Sequence, residues 1–122
     1  MKWFKRLFAG KFVDCGDGTV ADYLAGRMWQ KIHAPERMTQ QEAITYCESL
    51  TLAGHTDWRL PTIEEFRILF KNRDSKAEMS QTNEVCWTCS NMLMGPSNVA
   101  LASDGTSFYK TEKFCVRAVR TI

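Results

Sequence analysis

No stretch of this sequence approaches the ~18 uninterrupted apolar residues that a membrane-spanning helix needs, so no transmembrane segment is expected. Charge of one sign is equally scarce. The formal net charge of +2 is too small to argue for nucleic acid as a partner. Histidine is rare: His33 and His55 stand in separate loop-like stretches with no nucleophile pattern beside them, so the chain is read as non-enzymatic and without a cofactor. The basic start, Met1 to Lys11, has no apolar core of ~7 residues, because Lys5, Arg6 and Lys11 interrupt it. No export signal is therefore expected, and the expected compartment is the cytoplasm. Five cysteines are an odd number, and in a reducing compartment they would mostly be thiols.

What is present suits one small globular domain. A 122-residue chain with 44% apolar and 25% charged residues can bury a core without staples. The expected division is an extension over 1–11 and a domain over 12–122. In the extension Trp3, Phe4, Leu7 and Phe8 share one side of a helical wheel against Lys2, Lys5 and Arg6. Such a stripe packs on the domain or contacts a partner subunit, a possible route to a homo-oligomer.

The densest local signal is Asp57 to Phe66. Pro61 ends the extended Trp58–Leu60 run, since it cannot donate to a ladder. Thr62 and Glu65 form a capping box that starts a helix reaching about Asn72 and burying Ile63, Phe66, Leu69 and Phe70. Arg59 with Glu64 or Glu65 is expected to form an ion pair holding this corner. A second box, Thr39 with Glu42, starts a helix with Ala43, Ile44, Cys47 and Leu50 on one face and Gly54 as its stop. Before it, a Gly16–Thr19 turn leads into strands Thr19–Asp22 and Arg27–Lys31 joined through Gly26. After the second helix, Arg73–Glu84 and Asn91–Asn98 read as irregular loops flanking Val85–Ser90. Strands at Val99–Ala102, Ser107–Lys110 and Phe114–Arg120 follow, the first two joined by a hairpin turn at Ser103–Thr106. Strands flanking consecutive helices make the class α+β with mostly antiparallel pairing.

With these pieces placed, the chain resembles the Lcl C-terminal domain family, named for the terminal domain of a bacterial collagen-like adhesin. The likeness is carried by Phe12-Val13-Asp14, Gly16 to Val20 with Asp22, Gly26 with Met28 to Lys31, and Gln41-Glu42-Ala43 with Tyr46-Cys47 and Leu50. It continues through Leu52-Ala53-Gly54, Asp57 to Thr62 with Glu65, Trp87 with Ser90, and Val116-Arg117 with Val119-Arg120. The Arg59-Leu60-Pro61-Thr62 corner is also similar to one in formylglycine-generating enzymes. The resemblance implies a C-type-lectin-like fold, two helices on a small twisted sheet, and a binding scaffold. Relatives are usually outside the cell, and the adhesin's domain binds sulfated polysaccharide. Relatives also place a cysteine where Ala118 stands here, in reach of the helix cysteine. Cys115 lies three residues earlier and by strand alternation faces away from Val116, so the pairing with Cys47 that the family implies lacks its register.

Cys86-x-x-Cys89 could mark a zinc or thiol-redox site. It has no second pair of ligands and no helix start to lower a thiol pKa, so inert thiols are preferred. Asp14, Asp17 and Asp22 do not match the spacing of a calcium loop and read as turn formers. Trp29, Trp58 and Trp87, with Cys47, Arg59, Pro61, Thr62 and Glu65, are assigned structural roles. For ligand binding the candidates are Lys71, Arg73, Lys76, Lys110 and Lys113, cations suited to sulfate. Met92 and Met94 join them as an adaptable apolar contact. The expected function is a binding module for an anionic polysaccharide or a protein partner. The alternative is an intracellular protein-binding inhibitor or adaptor from a bacterial or phage mobile element.

Overall fold

The structure, a computed structural model, describes residues 12–71, 79, 85–90, 92–94, 100–102 and 112–122. The expected extension, the Ser107–Lys110 strand and its turn lie outside these residues, as does all of the Arg73–Glu84 loop except Met79. Strands β1 (Val13–Asp14), β2 (Thr19–Asp22) and β3 (Arg27–Gln30) are followed by helix α1 (Gln40–Ser49), a 3-10 turn (Leu52–Gly54) and helix α2 (Ile63–Lys71). Then come β4 (Cys86–Trp87), β5 (Met92–Met94), β6 (Ala100–Ala102) and β7 (Val119–Thr121). The class is α+β. All named strand pairs are antiparallel, in a four-stranded sheet β1-β2-β3-β7 and a three-stranded sheet β4-β5-β6.

Local chemistry explains the first hairpins. The Asp14 carboxylate accepts from the Gly16 amide at 2.9 Å, and Asp17 accepts from the Thr19 amide at 3.1 Å, so both acids shape the turn between β1 and β2. Gly26 has φ of 71° at the end of the β2–β3 turn, where a side chain would be strained. Its amide donates to the Asp22 carbonyl at 2.9 Å.

Side chains leaving the strands alternately feed two cores, each closed by one helix. The first holds Val20, Trp29, Cys86, Cys115 and Val119 against Phe66, Leu69 and Phe70 of α2, with Phe12 and Met79. The second holds Trp58, Leu60, Trp87, Leu93, Val116 and Ala118 against Ala43 and Cys47 of α1. The alternation at Cys115 and Val116 is the one expected from the sequence. Within the first core Trp29 and Phe66 lie 5.6 Å apart between ring centroids, and Phe66 stacks on Phe70 at the same distance.

Three sequence expectations are corrected. Helix α1 does not run to Gly54. Leu50 turns extended (ψ 129°) and its amide bonds the Cys47 carbonyl, which lets Leu52 pack on the second core and accept from the Trp58 indole at 3.1 Å. The Asn91–Asn98 loop contains β5, the central strand of the second sheet, because its backbone pairs with both β4 and β6. The last strand is not continuous from Phe114 to Arg120. Phe114 and Cys115 make single bridges and β7 begins at Val119. In between, Ala118 receives its bonds from Gln30: its amide donates to the Gln30 side chain at 3.0 Å and its carbonyl accepts from the Gln30 amide at 3.0 Å.

Candidate functional site

The start of α1 is held from two directions. The Thr39 hydroxyl accepts from the Glu42 amide at 3.3 Å while the Glu42 carboxylate accepts from the Thr39 amide at 2.9 Å. The residue before the cap, Met38, forms an antiparallel bridge with Phe114, at 2.9 and 2.8 Å, and its carbonyl also accepts from the Trp87 indole at 2.8 Å. That stitch brings Lys113 to the same groove as Glu36 and Arg37.

The result is an open groove of about 390 Å³ lined by Glu36, Arg37, Met38, Gln41, Glu42, Thr45, Tyr46, Ser49 and Lys113. Gln41, Thr45 and Ser49 follow at helical spacing along one stripe of α1 that lines it, although the Ser49 hydroxyl donates back to the Thr45 carbonyl at 2.7 Å. Arg37 and Lys113 are exposed at its sides. The amide of Thr39, then its hydroxyl and more weakly the charge of Lys113, hold the Glu42 carboxyl below its ordinary range. Glu42 is thus an anion tied to the helix cap. The Tyr46 hydroxyl accepts from the Gln30 side chain at 2.6 Å, which fixes the ring at the groove wall.

Across α1 lies a second cavity of about 250 Å³, lined by Gln40, Ile44, Cys47, Glu48, Trp58, Arg59, Leu60, Thr88 and Cys89. Its floor is apolar, and Arg59, Gln40, Glu48 and the exposed Cys89 stand at the rim. Burial, with Glu48 adding to it, pushes the Cys47 thiol up to about 12, so this sulfur stays protonated and unreactive at neutral pH.

The residues singled out from sequence are dispersed. Lys71 ends α2 and lines neither cavity; Lys113 lines the larger one; Arg73, Lys76 and Lys110 lie outside the described residues. Met92 and Met94 belong to β5 rather than to a loop. Cys86 is buried in the first core, whereas Cys89 is exposed two residues beyond β4, so the C-x-x-C spacing places its sulfurs in different surroundings. Among the described residues no group of three or more His, Cys, Asp or Glu could hold a metal ion. Trp29, Trp58, Trp87, Cys47, Pro61 and Glu65 are all buried. Arg37, Gln41 and Thr45 were not singled out. Lys113 was singled out, but its place facing these residues of α1 across the groove was not.

A family model, the Lcl C-terminal domain, matches residues 18–120. The chain belongs to the Lcl C-terminal domain family. The match runs from β2 into β7 and includes both helices and both cavities. As an Lcl C-terminal domain it is a binding or adhesin-related module. No curated protein and no solved structure matches the chain. No helix among the described residues is long and apolar enough to cross a membrane.

Proposed function

We propose that this Lcl C-terminal domain is a non-catalytic binding module that holds an anionic polysaccharide along the groove on α1. The observation that carries the reading is that Arg37 and Lys113 line one open groove with Gln41 and Thr45, while of the two carboxylates there, Glu36 and Glu42, the latter is tied to the helix cap. Two cations with amide and hydroxyl groups between them suit sulfate esters spaced along a sugar chain. Support for a non-catalytic role comes from the histidines. His33 is engaged at the Ala34 carbonyl at 2.6 Å, and His55 lies edge-on to Trp58 at 6.4 Å.

The smaller cavity favours a second reading, a protein partner that inserts an apolar side chain between Ile44, Trp58 and Leu60. The compartment goes with the ligand: a polysaccharide partner suits the cell exterior, and a protein partner suits the cytoplasm. Titration with a heparin-type polysaccharide, followed by amide chemical shifts in low salt, separates the two. Shifts confined to residues 36–49 and 113, abolished by salt, support the groove. An unshifted spectrum overturns it.

A further inference from the structure

We propose that Cys86 and Cys115 join in a disulfide when the chain folds in an oxidising medium, covalently linking β4 of the three-stranded sheet to the segment that leads into β7. Cys86 stands opposite Cys115 in a parallel bridge between β4 and the segment leading to β7. The register is set from both sides, because the Cys115 amide donates to the Val85 carbonyl at 3.1 Å and the Trp87 amide donates to the Cys115 carbonyl at 3.1 Å. Residues so paired lie about 4.8 Å apart across adjacent strands, inside the ~4.4–6.8 Å window between α-carbons that a disulfide spans. Both side chains also leave on the same side. Cys86 and Cys115 share the first core, while their neighbours Trp87 and Val116 enter the second.

The competing partners are placed elsewhere. Cys47 belongs to the second core, on the far side of the strands from Cys115. Cys89 is exposed at the rim of the smaller cavity. Cys15 stands in the turn after β1, and among the five cysteines the pairing of directly opposed residues is that of Cys86 with Cys115.

The chemistry is thiol–disulfide exchange with a small-molecule disulfide as the oxidant. One cysteine, as its thiolate, attacks that reagent, forms a mixed disulfide and expels a small thiolate. The second cysteine then attacks the protein sulfur and expels the other thiolate. Each protein thiol gives up its proton to one leaving thiolate, so two small thiols are released per bond. With Cys86 at 3% and Cys115 at 2% exposure, the exchange takes place during folding, before the first core closes.

The test refolds the full chain from denaturant in a buffer of reduced and oxidised glutathione, traps the remaining thiols with iodoacetamide and maps the peptides by mass spectrometry. The expected result is one cross-linked species joining the Cys86 and Cys115 peptides, with Cys15, Cys47 and Cys89 alkylated after denaturation. A rise in Tm of about 10 °C, reversed by dithiothreitol, should accompany it. Cys47→Ala should retain the cross-link, which keeps the test decisive if substitutions at Cys86 or Cys115 prevent folding. All five cysteines recovered as alkylated thiols, or a bond from Cys115 to Cys47 or from Cys86 to Cys89, would overturn the proposal.

Discussion

Arg59 grips Glu65 with both ends of its guanidinium, Nη1 to Oε1 at 2.8 Å and Nη2 to Oε2 at 2.9 Å, across the bend that Pro61 makes. The same carboxylate accepts from the Thr62 amide at 2.8 Å and from Arg27 on β3. One side chain thus caps α2, closes the corner and ties both to the first sheet. Glu64, the other partner considered from sequence, pairs with Arg67 on the surface of α2.

Burial would raise the Glu65 carboxyl, but the bonds from Arg59, the Thr62 amide and Arg27 outweigh it and hold the pKa at about 2, against 4.5 ordinarily. A carboxyl depressed in the folded state stabilises the fold fully above about 4.5 and loses that contribution as pH falls towards 2. The contribution is on the order of 3 kcal/mol, reduced by solvent screening at the partly exposed arginines. Urea unfolding at pH 7, 4.5, 3 and 2 should show this loss in the native chain. Glu65→Gln should be destabilised by about 3 kcal/mol at pH 7 and show a flatter acid limb.

Arg117 is 2% exposed, and its guanidinium donates to the carbonyls of Gln30 and Lys31 at 2.5 and 2.8 Å. Arg117→Met leaves those acceptors without their donor and should cost about 3 kcal/mol in denaturant midpoint experiments. An unchanged midpoint would mean that the guanidinium does not hold β3 to the last segment.

Thr39→Ala removes one half of the α1 capping box and should cost about 1 kcal/mol. Circular dichroism melts should register this as a Tm lower by a few degrees. The same helix carries one wall of the groove, so fraying should also broaden the amide signals of residues 40–42.

Thiol labelling of the reduced, folded protein should follow placement. Cys89, exposed at its turn, should react with iodoacetamide well before Cys47, which is buried and held protonated. Equal rates would contradict the burial of Cys47 on the core-facing side of α1.

For the groove, Arg37→Ala and Lys113→Ala should each weaken a sulfated polysaccharide by about tenfold in low salt, as expected for loss of one charge-assisted contact. Each should also make the logarithmic salt dependence shallower. Lys71→Ala, at the far end of α2, should change neither.

Much of the fold was legible because its instructions are short. Thr39 with Glu42 and Thr62 with Glu65 act over three residues; Asp14, Asp17 and Gly26 act within single turns; Pro61 acts on its neighbours alone. Each such signal depends on covalent proximity, so reading it needs no knowledge of what lies across the chain. Met92–Met94 shows the limit. Its apolar run carries no period, and only the backbone of β4 and β6 on either side makes it a strand. The stop of α1 failed for a related reason: Gly54 was a competent cap, yet burial of Leu52 and its bond from Trp58 outweighed local preference and ended the helix at Ser49.

The sequence by itself determined two capped helices, a proline corner, an aspartate-shaped turn and the face along which residues 114–119 alternate. Only the tertiary structure decided that Glu65 rather than Glu64 takes Arg59, that Lys113 meets Arg37, and that Cys115 stands opposite Cys86. Those pairings join residues far apart along the chain, and what selects among them is the shared burial of apolar surface, a quantity that no local pattern contains.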